Sequence, residues 1–219
     1  TLAPNPETKV YDGTDLYASS IDCSELANGQ TATAELVGSQ KNVGTSASAI
    51  VDGTLVIMDG ESTVELENYD ITYKGSTLTV TKRYIKIATG SNEWTYDDSY
   101  HECREHNLTD NTTLGFNHTT EVKTVETRVK NVSDGPTENR LVIIVKDENG
   151  EDVSENYDIS YTYGTLAIDC RRIEITSEDK SWVYDDIIHF HKGFDVTSET
   201  ALVDGHKAEI DTYTEIKYA

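Results

Sequence analysis

One pattern constrains this chain more than any other: blocks of residues return 88 positions later. Tyr69-Asp70-Ile71 recurs as Tyr157-Asp158-Ile159, and Tyr73, Leu78 and Val80 recur as Tyr161, Leu166 and Ile168. Arg83, Ile85 and Ile87 return as Arg171, Ile173 and Ile175. Trp94-Thr95-Tyr96-Asp97-Asp98 then returns as Trp182-Val183-Tyr184-Asp185-Asp186. The pairs His101/His189 and His118/His206 keep the same spacing. An earlier copy, Val10-Tyr11-Asp12-Gly13, precedes its counterpart at Tyr96 by 85 residues, a difference that small loop changes account for. Self-similarity at a fixed period is the mark of a tandem array, in which one structural unit is used repeatedly.

Arginine after an alternating run phases the units. Leu78-Thr79-Val80 precedes Arg83, Leu166-Ala167-Ile168 precedes Arg171, and a second alternating run follows each arginine. Three domains are therefore expected: 1–82, 83–170 and a partial 171–219, which lacks every counterpart of the Asn-Tyr-Asp-Ile half and is either truncated or a cap. The net charge of −22 divides among them as −8, −9 and −5. An excess of carboxylates shared by every copy argues against nucleic acid, whose binding needs Lys and Arg to replace counterions. It argues equally against anionic membrane surfaces. Apolar runs fall well short of the roughly 20 residues a membrane helix requires. Because the chain opens at Thr1 without an initiator Met or signal peptide, it is expected to be a processed or excised fragment.

Period-2 alternation and turn chemistry predict the elements. Residues 140–145 form an apolar strand, followed by Asn149-Gly150, a dipeptide suited to a type I′ hairpin turn. Asp59-Gly60 occupies the same place in the first copy. Further strands are expected at 83–87, 101–108, 121–129, 157–161 and 165–168, about seven per complete copy. Short helical turns are expected only at 24–28 and 198–204. The fold class is all-β: tandem small antiparallel β-sandwich (Ig-like) domains, end to end. The alternative is a mostly-β grasp-like domain with one short helical turn per copy.

The ordered series Lys9-Val10-Tyr11-Asp12-Gly13, Asn68-Tyr69-Asp70-Ile71-Thr72-Tyr73, Gly75, Leu78-Thr79-Val80 and Thr81-Lys82-Arg83 resembles the YDG/MBG-type tandem repeats of bacterial cell-surface proteins. The second copy matches through Tyr96, Asp97, His101, Asn156-Tyr157-Asp158-Ile159, Tyr161, Gly164 and Leu166, and the third through Tyr184, Asp185 and His189. The resemblance covers nearly the whole chain. Departures are Asp98 and Asp186 where Gly13 keeps the usual glycine, and Leu16 where later copies have histidine. The resemblance implies an extracellular, surface-anchored or secreted bacterial setting, with repeats serving as stalks or adhesin segments, and it brings no catalytic residues.

Candidate sites are few. His101, Cys103 and His106 cluster, as do His189 and His191. A structural zinc site usually needs four ligands, however, and alternating strand positions supply two on one face. The Asp97-Asp98 and Asp185-Asp186 pairs are weak calcium candidates near the copy boundaries. The loop 147–152 places its glycine wrongly for an EF-hand. Cys23, Cys103 and Cys170 occupy non-equivalent positions, so buried or free thiols fit better than a disulfide framework. The recurring tyrosines, Tyr11, Tyr69, Tyr73, Tyr96, Tyr157, Tyr161 and Tyr184, read as core rings with tied hydroxyls, with glycan stacking as the alternative. Trp94 and Trp182 are expected to pack at a hinge. Four N-x-S/T sequons, at Asn107, Asn111, Asn117 and Asn131, fall in the second copy alone. Glycosidase chemistry needs two carboxyls roughly 5–10 Å apart across a cleft, which neighbouring Asp residues on a strand do not provide. No nucleophile elbow or phosphate loop occurs in the sequence. The expected function is a non-catalytic stalk or spacer without a cofactor, its partners being neighbouring repeats. The alternatives are an adhesin module for glycan or host protein, and an accessory region of a secreted hydrolase.

Overall fold

The structure, a computed structural model, describes residues 1–197 and 202–209. It is all-β, with nineteen short strands and three single-turn 3-10 helices among the described residues. The chain packs as two compact units, neither of them a contiguous segment. The first takes Thr1–Thr89, Arg104–Val125 and Leu141–Tyr163; the second takes Gly90–Cys103, Glu126–Arg140 and the described residues from Gly164 onward.

In the first unit, the strand Arg83–Thr89 lies between His106–Thr109 and Tyr157–Thr162. Its alternation explains the burial: Ile85, Ile87 and Thr89 turn inward while Tyr84 stays exposed. Leu141–Lys146 repeats the pattern with Leu141, Ile143 and Val145. It pairs antiparallel with Thr119–Val125 through a bulge at Lys123. A four-stranded sheet runs Glu7–Val10, Ser76–Thr81, Gly44–Ile50, Leu36–Val37. Tyr11 and Val80 join Ile85, Ile87, Leu141, Ile143, Val145 and Tyr157 in one core. Residues on both sides of position 82 thus bury each other, at about 1.5–3 kcal/mol per large apolar side chain. A second core in this unit gathers Leu2, Leu55 and Ile57.

The second unit holds the sheet Asn92–Thr95, Thr165–Asp169, Thr137–Glu138 and the pair Ile175–Ser177, Phe194–Val196. Its core is Cys103, Val129, Leu166 and Ile168, with Trp94 and Tyr96 packed against it.

Among the described residues three sheets are mixed, not purely antiparallel as the sequence suggested. Glu7–Val10 runs parallel to residues 78–81, Arg83–Thr89 to Tyr157–Thr162, and Asn92–Thr95 to residues 166–169. The physical reason is partner choice. In the first and second copies the opening strands pair with strands near the copy's end, and the long intervening chain supplies the crossover a parallel pair requires. The helical turn expected at 24–28 is instead two reverse turns, closed by Leu26 N–H to Cys23 O and Gln30 N–H to Ala27 O. Of the second such expectation, residues 198–201 lie outside the described residues, and 204–205 form a turn. The Asn149-Gly150 turn has only Gly150 at positive φ (82°), so it is not type I′. The Asp147 carboxylate closes it by accepting the Asn149 and Glu151 N–H groups. Gly60, at φ 60°, leads a two-residue loop between the paired Asp59 and Ser62, the place glycine takes in a type II′ turn.

Candidate functional site

The Tyr-Asp-(Gly/Asp) tripeptide forms the same turn three times. Asp12 Oδ1 accepts the Thr14 N–H, Asp97 Oδ1 that of Ser99, and Asp185 Oδ1 that of Ile187. The next residue is left-handed in each case: Gly13 at φ 85°, Asp98 at 64° and Asp186 at 60°. Glycine adopts this conformation freely, and aspartate is among the few other residues that tolerate it. The aspartate pairs therefore lie in turns rather than along strands.

What holds each turn differs between copies. In the second, His101 Nε2 lies 2.9 Å from Asp97 Oδ1, and the Trp94 ring stacks on the imidazole at 4.9 Å and 19°. In the third, His189 Nε2 lies 2.8 Å from Asp185 Oδ1, with Trp182 stacked at 5.1 Å and 14°. Tyr96 and Tyr184 donate their hydroxyls to Asp98 and Asp186. In the first copy Lys9 stands at the tryptophan position and Leu16 at the histidine position. Lys9 Nζ takes over the donor's work at 2.7 Å from Asp12 Oδ1. The bonds from His101 and Ser99 hold the Asp97 pKa below the ordinary carboxylate range, and those from His189 and Ile187 do the same for Asp185. The Lys130 ammonium, 2.9 Å away, lowers that of Asp98. Burial alone would raise the Asp12 pKa, but the bonds from Lys9 and Thr14 outweigh it and bring it to about 2. Every carboxylate proposed for calcium thus receives protein donors. Among the described residues, no group of three or more His, Cys, Asp or Glu side chains is gathered as a metal site.

A second recurring arrangement involves the arginine that opens the following copy and the histidine 35 residues after it. In the first unit, Arg83 Nε donates to the Tyr11 carbonyl at 2.6 Å, and Phe116 N–H donates to the Asp12 carbonyl at 2.8 Å. The Tyr11 ring meets His118 at 5.7 Å and Tyr157 edge-on at 5.5 Å. Tyr157 Oη receives the Gly115 N–H and lies 2.6 Å from His118 Nδ1. A β-carbon at Gly13 would come within 2.8 Å of His118 Nε2, so glycine is needed here for space as well as φ. In the second unit, Arg171 Nη1 donates to the Tyr96 carbonyl at 3.2 Å, and the Tyr96 and His206 rings meet at 6.0 Å. Here Asp98 replaces the glycine, and its Oδ2 lies 3.8 Å from His206 Nε2. The glycine-to-aspartate departure therefore exchanges close approach for a carboxylate facing the histidine.

Of the other recurring tyrosines, Tyr69 is half-buried and donates to Gln30 Oε1, while Tyr73 is exposed. Tyr161 stacks on Tyr163 at 5.7 Å and 7°. Tyr184 is exposed, unlike Tyr11, so only part of the tyrosine set is core. Cys23, Cys103 and Cys170 are free thiols. The four sequon asparagines are exposed. Asn131 is engaged in a reciprocal cap with Asp134.

Burial pushes the His118 pKa below its ordinary value. The folded chain then binds a proton at His118 less readily than the unfolded chain does. This group's contribution is complete above the unfolded value, about pH 6.5, and is lost as pH falls below it. The melting temperature is expected to drop between pH 7.5 and 5.5. A His118→Gln chain, followed by circular dichroism, should show a flatter slope over that interval. The paired Asp12, Asp97, Asp98 and Asp185 act in a separate window, losing their contribution only as pH falls below about 4.

No protein-family model and no curated protein matches this chain.

Proposed function

We propose that the chain is a non-catalytic spacer segment of a bacterial surface protein, in which repeats hold one another in line. The observation that carries this reading is the core shared across position 82, where Tyr11 and Val80 pack with Ile85, Ile87 and Tyr157. A flexible linker between self-sufficient beads would leave those side chains in separate cores. Arg83 reinforces the joint by bonding the Tyr11 carbonyl, and Arg171 bonds the Tyr96 carbonyl in the same way. The resemblance to YDG/MBG-type repeats and a net charge of −22 also support the role, since like charge favours a solvated, self-repelling array. Small-angle scattering is expected to give a radius of gyration well above the roughly 17 Å of a compact 219-residue particle. A value at that figure would overturn the spacer reading.

The adhesin reading has one supporting observation, the stacked Tyr161–Tyr163 pair, which is the kind of aromatic platform sugars pack against. It predicts hits on a glycan array that Tyr163→Ala removes.

A further inference from the structure

The third copy keeps one edge of its opening strand paired and leaves apolar side chains exposed beside the other. Ile175 pairs with Val196, Thr176 with Asp195 and Ser177 with Phe194. These are the register positions of Ile87–Leu108, Ala88–Asn107 and Thr89–His106, each displaced by 88 residues. The antiparallel side is thus built as in the second copy. On its other side, Arg83–Thr89 carries the parallel strand Tyr157–Thr162, with Ile85 opposite Ile159 and Ile87 opposite Tyr161. Among the described residues, Ile175–Ser177 has no such second neighbour. Burial differs too: Ile85 and Ile87, in a core with Leu141, Val145 and Tyr157, are 0% exposed, whereas their counterparts Ile173 and Ile175 are 40% and 52% exposed. Further along, Trp94 is partly buried against the second unit's core, whereas its counterpart Trp182 is 37% exposed. In the second copy the corresponding stretch, Asn92–Thr95, runs parallel to residues 166–169.

We propose that this edge is a strand acceptor, and that its occupant is an extended segment of the Asn-Tyr-Asp-Ile-x-Tyr, Gly-x-Leu-x-Ile type, added in parallel from Ile173 toward Tyr184. The occupant is specified by what fills the equivalent place in the second copy, where one continuous stretch, 157–169, pairs with both opening strands. Main-chain hydrogen bonds to an open edge give affinity, and alternate side chains give register, as in other strand-addition complexes. Isoleucine and tyrosine at the positions of Ile159 and Tyr161 would cover Ile173 and Ile175, and the Leu-x-Ile stretch would lie against residues 180–183. The inference rests on the equivalence of segments and not on the spacer role, so either can fail without the other.

The test is titration calorimetry of the full 219-residue chain with a synthetic peptide of the sequence of residues 156–169. Saturable one-to-one binding is expected. Ile175→Asp in the chain should weaken it by about tenfold or more, because a charge then faces the added strand. Ile159→Pro in the peptide should do the same by removing a ladder donor. Ile175 is exposed, so the aspartate variant should keep the circular dichroism of the parent. In a Trp94→Phe background, bound peptide should shift Trp182 emission to the blue. No binding at about 1 mM peptide would overturn the proposal. So would equal affinity for the Ile175→Asp chain, which would mean that the peptide exchanges with a strand elsewhere. A concentration-dependent dimer formed without peptide and abolished by Ile175→Asp would assign the edge to a second copy of this chain, and would also overturn it.

Discussion

Tyr11→Ala is expected to lower stability by about 3–5 kcal/mol and to loosen strands more than seventy residues away. Truncating a fully buried aromatic ring removes its transfer energy and leaves a cavity that the surroundings fill incompletely. Tyr11 is 1% exposed, and its ring contacts Tyr157 and His118, while the core around it includes Ile85, Ile87 and Leu141. A domain's net stability is only about 5–15 kcal/mol, so this loss is a large share of it. Hydrogen exchange should show faster opening not only at the Tyr11 and Thr81 amides but along Arg83–Thr89 and Tyr157–Thr162. Urea denaturation should give the same loss of free energy from either probe. Tyr73→Ala, at an exposed position of the same repeat pattern, should change stability by less than about 0.5 kcal/mol. If Tyr11→Ala accelerated exchange only before residue 82, the shared core would not be a cooperative element.

Strand positions were largely legible in the sequence because period 2 and turn residues act locally. Arg83-Tyr84-Ile85-Lys86-Ile87 read correctly from its letters alone, and the strand expected at 140–145 is Leu141–Lys146, one residue further on. Partner choice was not legible. Nothing in the alternation of Glu7–Val10 says whether it pairs with the next strand or with Ser76–Thr81, whose parallel register depends on where the intervening chain returns. For the same reason the core joining Tyr11 to Ile85 and Tyr157 could not be read from segment boundaries drawn by similarity. Similarity marks which residues are equivalent, whereas packing decides which ones touch.

The candidate site divides along the same line. Its recurring letters, Tyr-Asp with a histidine four residues after the aspartate, were visible, and the Asp97–His101 and Asp185–His189 bonds follow from that spacing on a tight turn. Leu16 in the place of the histidine was visible only as a departure. Its meaning needed the structure: a different side chain supplies the donor to the same carboxylate. The carbonyl bonds from Arg83 and Arg171 were also hidden, because a side chain that bonds the backbone imposes no residue type on its partner.

Equivalence in sequence without equivalence in environment yields the second large effect. Ile87→Ala and Ile175→Ala remove the same atoms from the same register position, opposite Leu108 in one copy and Val196 in the other. Ile87 is wholly buried in the core with Tyr11 and Val145, so its truncation should cost about 2–5 kcal/mol, including the cavity left behind. Ile175 is about half exposed, with little transfer energy to lose and no enclosed space to empty, so its truncation should cost less than about 1 kcal/mol. Urea denaturation of the two variants beside the parent chain measures both. Because the mutated residue, strand position and antiparallel partner class are matched, the difference measures what the rest of the core around Ile87, with Tyr11, Leu141, Val145 and the parallel strand Tyr157–Thr162, contributes to burying it. With bound peptide of residues 156–169 the cost at Ile175 should rise, since the added strand would cover part of it. Equal costs without peptide would mean that the third copy's edge is already closed in solution.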